Sequence, residues 1–159
     1  MILFISVVFS GLVAGLFYSY SCSVNPAFGT LTDSEYIIVM QAINKAIQNP
    51  YFFISFIGLL VAYPIAVYSL YSPPTITSFY ALLGAAVIYF IGVFGITLFC
   101  NVPLNEQLAD FQILTASQHE ISAMRKAFEE PWNRYHAIRT LAAILAFCLS
   151  VLALLKQKA

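Results

Sequence analysis

Four stretches of the chain are apolar almost without interruption, roughly residues 2–22, 51–71, 78–100 and 137–155. A helix needs about 20 apolar residues to cross a bilayer, and only the last stretch falls short of that. The runs are continuous rather than alternating, which favours helices over barrel strands. Pro50 stands at the first position of the second run, where its missing N–H costs nothing. "SPPT", residues 72–75, joins the second and third runs by a tight turn and makes them antiparallel neighbours. The first run reads as a span rather than a secretory leader, because it lacks a basic segment and approaches spanning length.

Two of the connections carry a different pattern. Thr32 and Glu35 have the spacing of a capping box, and Tyr36, Val39, Met40, Ile43 and Ile47 recur at helical intervals, predicting an amphipathic helix against the membrane face. Ser117 and Glu120 repeat the capping box before a stripe of Ile121, Met124 and Phe128, and Pro131 is expected to end that helix and open the next. The whole pattern predicts an all-α fold, a single domain over residues 1–159. It is an integral, multi-pass four-helix membrane bundle with two short amphipathic helices in the connections on one face. The termini and the Pro-Pro turn then lie on the other face. Gly11 and Gly15, with Gly84, Gly92 and Gly95 in the third run, allow close helix contact. Packing within one subunit is the first expectation and a homo-oligomer the second.

Composition agrees with this picture. Hydrophobic residues make up 61% of the 159 and charged residues 9%, where soluble domains carry about 25% charged residues. Mean hydropathy is +0.86, so a lipid bilayer is the expected surrounding. The formal net charge of zero gives no reason to invoke nucleic acid as a partner. The basic residues do not choose an orientation: Lys156 and Lys158 weigh for termini inside, whereas Lys45, Arg125, Lys126 and Arg134 weigh for the connections inside. Cys22, Cys100 and Cys148 show no C-x-x-C spacing and are read as packing residues. Asp33, Glu129 and Glu130 are read as solvated or capping.

Polar residues that interrupt the apolar pattern are the candidates for chemistry. Beyond Cys100 the third run enters "NVPLNE", where Asn101 and Asn105 fall on one helix face. Pro103 removes the N–H that would meet the Phe99 carbonyl, predicting a kink. In "PWNRYHAIRT" the residues Trp132, His136 and Arg139 share a face that descends from the interface into the fourth run. An arginine at such depth is costly, by about 2.5–3.5 kcal/mol at the bilayer centre, and needs a partner. Glu106, or the side-chain oxygens of Asn101 and Asn105, are the candidates. Asn44, Tyr18 and Tyr20 belong to the same membrane face. Apolar walls with a few convergent polar groups describe a small-molecule site, and an apolar small molecule is the expected ligand. No metal site is predicted.

The strings "AGLFYSYSCSVNPAF", "MQAINKAIQNP", "NVPLNEQL" and the later "W...H..RT" resemble, in order and spacing, the anthrone oxygenase-like family of small four-helix membrane proteins. The resemblance covers nearly the whole chain, and "NVPLNE" is its most specific part. It implies an oxidoreductase that converts an anthrone to an anthraquinone with molecular oxygen. The counterpart positions are Asn44, Asn101, Pro103, Asn105, Trp132, His136 and Arg139. One departs: many relatives carry asparagine where this chain has His136, so a base there is not general to the family. On this reading His136 takes a proton, Arg139 with Asn101 and Asn105 holds the oxyanion, and Trp132 stacks on the ring, with Asn44, Tyr18 and Glu106 lining the substrate. No cofactor is required, and haem with His136 as axial ligand is the alternative. The competing function is a non-catalytic membrane carrier for a lipid, quinone or haem.

Overall fold

A computed structural model of the protein describes residues 1–157, so Lys158 lies outside the described residues. The described residues form five helices and no strand: α1 (Ile2–Phe28), α2 (Asp33–Ala46), α3 (Pro50–Ser69), α4 (Ile76–Ala109) and α5 (Gln118–Lys156). All but α2 are long and apolar enough to cross a membrane. They form a four-helix membrane bundle. Its core joins Phe17 of α1, Leu59 and Tyr63 of α3, Leu82 and Tyr89 of α4, and Ala143 and Ala146 of α5.

Inside this apolar core the helices are also tied by hydroxyls. Tyr63 Oη donates to Ser10 Oγ at 3.0 Å and lies 2.9 Å from Ser150 Oγ, linking α3 to α1 and α5. Gly92 permits close approach of α4 to α5, since a Cβ built there would lie 2.7 Å from that of Ala142. Gly11 rests on Phe147 of α5, whereas Gly15 has nothing within 4 Å. Cys22 and Cys148 are exposed rather than packed in the core, and Cys100 is half-buried.

Helices α4 and α5 outrun the bilayer. At 1.5 Å per residue the 39 residues of α5 extend about 58 Å, nearly twice the roughly 30 Å hydrocarbon core. The excess follows from continuity: the predicted second amphipathic helix is the first part of α5 itself, and Pro131 lies inside the helix instead of dividing it. α2 docks on this extension. Both capping boxes form as expected, Thr32 with Glu35 and Ser117 with Glu120. Two hydrogen bonds from Thr32 hold the Glu35 carboxyl below its ordinary range. The apolar stripe of α2 is covered by protein: Tyr36, Ile37 and Met40 pack with Leu108, Ile121, Phe128 and Trp132 in a second core. Burial holds the Tyr36 phenol well above its usual range.

Polar stitches fix the docking. Gln41 Nε2 donates to the carbonyls of Leu108 and Phe111 at 2.8 and 3.1 Å. Arg125 binds Asp33 at 3.0 Å, Glu129 at 2.7 Å and the Leu31 carbonyl at 2.7 Å, over the face of Tyr36. Asp33 and Glu129, read from sequence as solvated or capping, are thus ion-pair partners.

Pro26 and Pro103 each sit just after a widened turn. Residues Tyr20–Val24 before Pro26, and Thr97–Asn101 before Pro103, are π-helical, with the N–H of Asn25 bonded to the Tyr20 carbonyl and that of Val102 to Thr97. A proline removes the N–H that the carbonyl four residues earlier would accept, and its ring crowds that carbonyl. The five-residue turn accommodates both problems without ending the helix. A third π segment covers Tyr89–Gly95.

Candidate functional site

Both proline-associated π turns pack on α5 and line a cavity of about 1010 Å³. Its floor is built from α1, α4 and α5. Its walls add Phe52 and Phe56 of α3, a stacked pair with centroids 4.8 Å apart. α2 roofs it with Asn44 and Lys45, and α4 contributes Thr97, Asn105 and Glu106. The rim has two characters. Leu16, Phe53, Ile57 and Leu98, each 41–44% exposed, edge it on the side of the spans, while exposed Lys45, Gln48 and Glu106 edge it on the side of the connections.

Arg139 and His136 form the floor. Arg139 donates from Nε and Nη2 to His136 Nδ1, at 3.2 and 3.1 Å, and from Nη1 to Thr97 Oγ1 at 3.3 Å. Thr97 Oγ1 is itself committed as donor to the Val93 carbonyl at 2.7 Å, so it accepts from the guanidinium. The arginine carries five N–H groups. Two of them have no acceptor among the described residues. It is 8% exposed, and among the described residues no carboxylate lies within salt-bridge distance of it. The partner foreseen for it, Glu106, is absent from its contacts. Aromatic faces serve instead: the guanidinium lies 4.5 Å from the Phe17 ring and 5.1 Å from that of Trp132.

The hydrogen-bond network also fixes the state of His136. An arginine only donates, so Nδ1 holds a lone pair and the ring proton is on Nε2. Nε2 lies 3.0 Å from Ser21 Oγ, Ser21 Oγ lies 3.3 Å from Thr140 Oγ1, and Thr140 Oγ1 donates to the His136 carbonyl at 2.7 Å. One direction satisfies every group: imidazole to Ser21, Ser21 to Thr140, Thr140 to the carbonyl. The ring is 1% exposed and stacked on Trp132 at 5.0 Å and 13°. In this arrangement both nitrogens are engaged within the protein, Nδ1 by Arg139 and Nε2 by Ser21. The expected base is therefore an anchor for Arg139.

The other expected site residues divide. Asn101 and Asn105 both meet Trp132, as their common helix face requires. Asn105 Oδ1 accepts from Trp132 Nε1 at 2.8 Å, which turns its amide N–H₂ outward on the cavity wall. Asn101 is fully buried, contacts the Trp132 carbonyl at 3.4 Å and does not line the cavity. Trp132 stacks on Phe128 and His136, one turn before and after it, and also lines the cavity. Asn44 lines the roof, is nine-tenths buried, and its amide nitrogen has no partner. Tyr18 points away at 59% exposed while Tyr20 lines the cavity, because residues two apart on a helix stand on nearly opposite sides.

Sequence reading missed Phe17, Ser21, Phe52, Phe56 and Thr97. The i, i+4 pair Phe52 and Phe56 was a usable signal; nothing distinguished Ser21 and Thr97, which reach the floor only through the π turns. Among the described residues no group of three histidine, cysteine or acidic side chains could hold a metal ion.

The sequence model of the anthrone oxygenase family matches residues 51–149. This chain belongs to the anthrone oxygenase family. The match spans α3, α4 and most of α5, which carry Asn105, Glu106, Trp132, His136 and Arg139; α1 and α2, which supply Phe17, Tyr20 and Asn44, precede it. No curated protein and no solved structure matches the chain.

Proposed function

We propose that this protein is a multi-pass membrane oxygenase whose cavity takes a flat aromatic ketone of the anthrone type and oxidises its ring methylene with molecular oxygen. The observation that carries the reading is Arg139: a guanidinium buried in an aromatic pocket, with no acid beside it and N–H groups left over. A buried cation without a counter-charge is costly, and a ligand that develops an oxyanion supplies the missing charge. The stabilisation is then largest for the enolate, the condition for catalysis.

Arg139 and the amide of Asn105 hold the ketone oxygen, while Phe52 and Phe56 cover the rings. Loss of one methylene proton gives an enolate delocalised over the aromatic system. The enolate carbon passes electrons to oxygen and a C–O bond forms, giving a hydroperoxide after protonation. Loss of the second methylene proton with cleavage of the O–O bond leaves a carbonyl and water. Ketone plus O₂ thus becomes quinone plus water, with no external reductant.

The test uses the purified protein in lipid nanodiscs with anthrone. Quinone formation and oxygen uptake in equal amounts, well above the rate in empty discs, are expected. Trp132, the chain's only tryptophan, reports occupancy by its fluorescence. Quenching by anthrone at a rate of oxidation no greater than in empty discs would replace the enzyme by a carrier.

A further inference from the structure

The geometry points to Glu106 as the base that removes the methylene protons, an inference that rests on the oxygenase reading above. Enolisation needs an acceptor with a free lone pair at the cavity wall. His136 has none, since Arg139 occupies Nδ1 and Nε2 carries the proton shared with Ser21. The tyrosine on the wall, Tyr20, is a donor to Met40 Sδ at 3.1 Å. Lys45 and Arg139 are cations. Glu106 is the single carboxylate among the residues lining the cavity, and both ion pairs found among the described residues belong to Arg125 instead.

Its position suits the substrate. Glu106 follows Asn105 directly on α4, and Asn105 is pinned by the indole of Trp132 at 2.8 Å. The carboxylate is exposed at the polar rim, whereas Arg139 lies on the floor at 8% exposure. In an anthrone the ketone and the methylene occupy opposite sides of the central ring. An oxygen seated on Arg139 directs the methylene toward the rim. A carboxylate facing an oxyanion hole across a flat ring ketone is sufficient for enolisation, because the hole lowers the energy of the enolate rather than requiring a strong base.

One carboxylate serves both proton transfers. It takes the first methylene proton as the C–H bond breaks and returns that proton to the peroxide oxygen. It then takes the second methylene proton as the O–O bond breaks, and passes it to the departing hydroxide to form water. Glu106 ends each cycle ionised.

The experiment separates proton removal from oxygen chemistry. Nanodisc-embedded protein is incubated anaerobically with anthrone in deuterated buffer, and methylene exchange is followed by NMR. Turnover in oxygen and quenching of Trp132 are measured on the same preparations. Glu106→Gln is expected to lose at least about 100-fold in both exchange and turnover, within the range of general-base contributions, while anthrone still quenches Trp132. Glu106→Asp, which keeps a carboxylate on a shorter stem, is expected to recover part of both rates. Exchange and turnover at wild-type rates in Glu106→Gln overturn the assignment and leave the oxygenase reading standing. Wild-type protein that quenches with anthrone but neither exchanges nor turns it over removes both. Should Glu106→Gln fail to fold, Glu106→Asp decides: full wild-type exchange despite the retracted carboxylate overturns the assignment, and a partial loss supports it.

Discussion

Replacing Arg139 by methionine separates the chemistry from the fold. The guanidinium is held by His136 at 3.1 and 3.2 Å and by Thr97 at 3.3 Å, with no acid in contact. Removing it forfeits charge-assisted hydrogen bonds to two acceptors, His136 Nδ1 and Thr97 Oγ1, worth about 1.5–3 kcal/mol each. It also relieves an insertion cost of up to about 2.5–3.5 kcal/mol for a charge in the spans. The unbranched methionine fills the space between Phe17 and Trp132. The two contributions partly offset, so the expected change in stability runs from about neutral to a loss of about 3.5 kcal/mol. Turnover should respond differently: losing one oxyanion donor lowers kcat by about 100- to 1,000-fold. Oxygen uptake in nanodiscs gives the rate, and a thermal melt of the same sample gives the fold. A folded Arg139→Met protein with wild-type kcat/KM would refute the oxyanion assignment. Loss of more than about 4 kcal/mol of stability would show the guanidinium to be a structural clamp.

Three further outcomes follow from the packing. Gly92→Ala is expected to destabilise by about 1–3 kcal/mol, since its Cβ would meet that of Ala142 at 2.7 Å; Gly15→Ala, with nothing within 4 Å, should be neutral or stabilising in the same melt. Tyr63→Phe removes both links to Ser10 and Ser150 and should cost about 0.6–1.7 kcal/mol, the range for hydrogen bonds between membrane helices, measured by unfolding in mixed micelles. Arg125→Gln severs the stitches to Asp33, Glu129 and Leu31; hydrogen exchange should accelerate in α2 and leave α1 and α3 unchanged, and uniform protection across α2 would contradict its role as the fastener of the roof.

The spans were legible because their signal is cumulative: a run such as "FYALLGAAVIYFIGVFGITLF" has no soluble alternative. Arg139 was legible because its placement is expensive, and expense in a membrane points to function. Its partner was not. Chain logic offered Glu106, yet a guanidinium held by imidazole, hydroxyl and aromatic faces leaves no charge pattern to find. The π turns were hidden for a related reason. A proline announces that a carbonyl loses its donor, and a kink or a wider turn answers that loss equally well. The choice of the wider turn carries Ser21 and Thr97 to the floor. The residue type of His136 suggested proton transfer, while the partner that engages its Nδ1, Arg139, lies three residues later.

The two-natured rim sets the units in which the protein must be assayed. On the proposed reading a greasy ring ketone dissolves in the lamella and enters by the Leu98 and Phe53 side of the opening, while the water formed leaves by the aqueous side at Glu106. Velocity on this account follows the mole fraction of ketone in the lipid phase. Diluting a fixed amount of anthrone with additional phospholipid should slow turnover although the total anthrone per sample volume is unchanged.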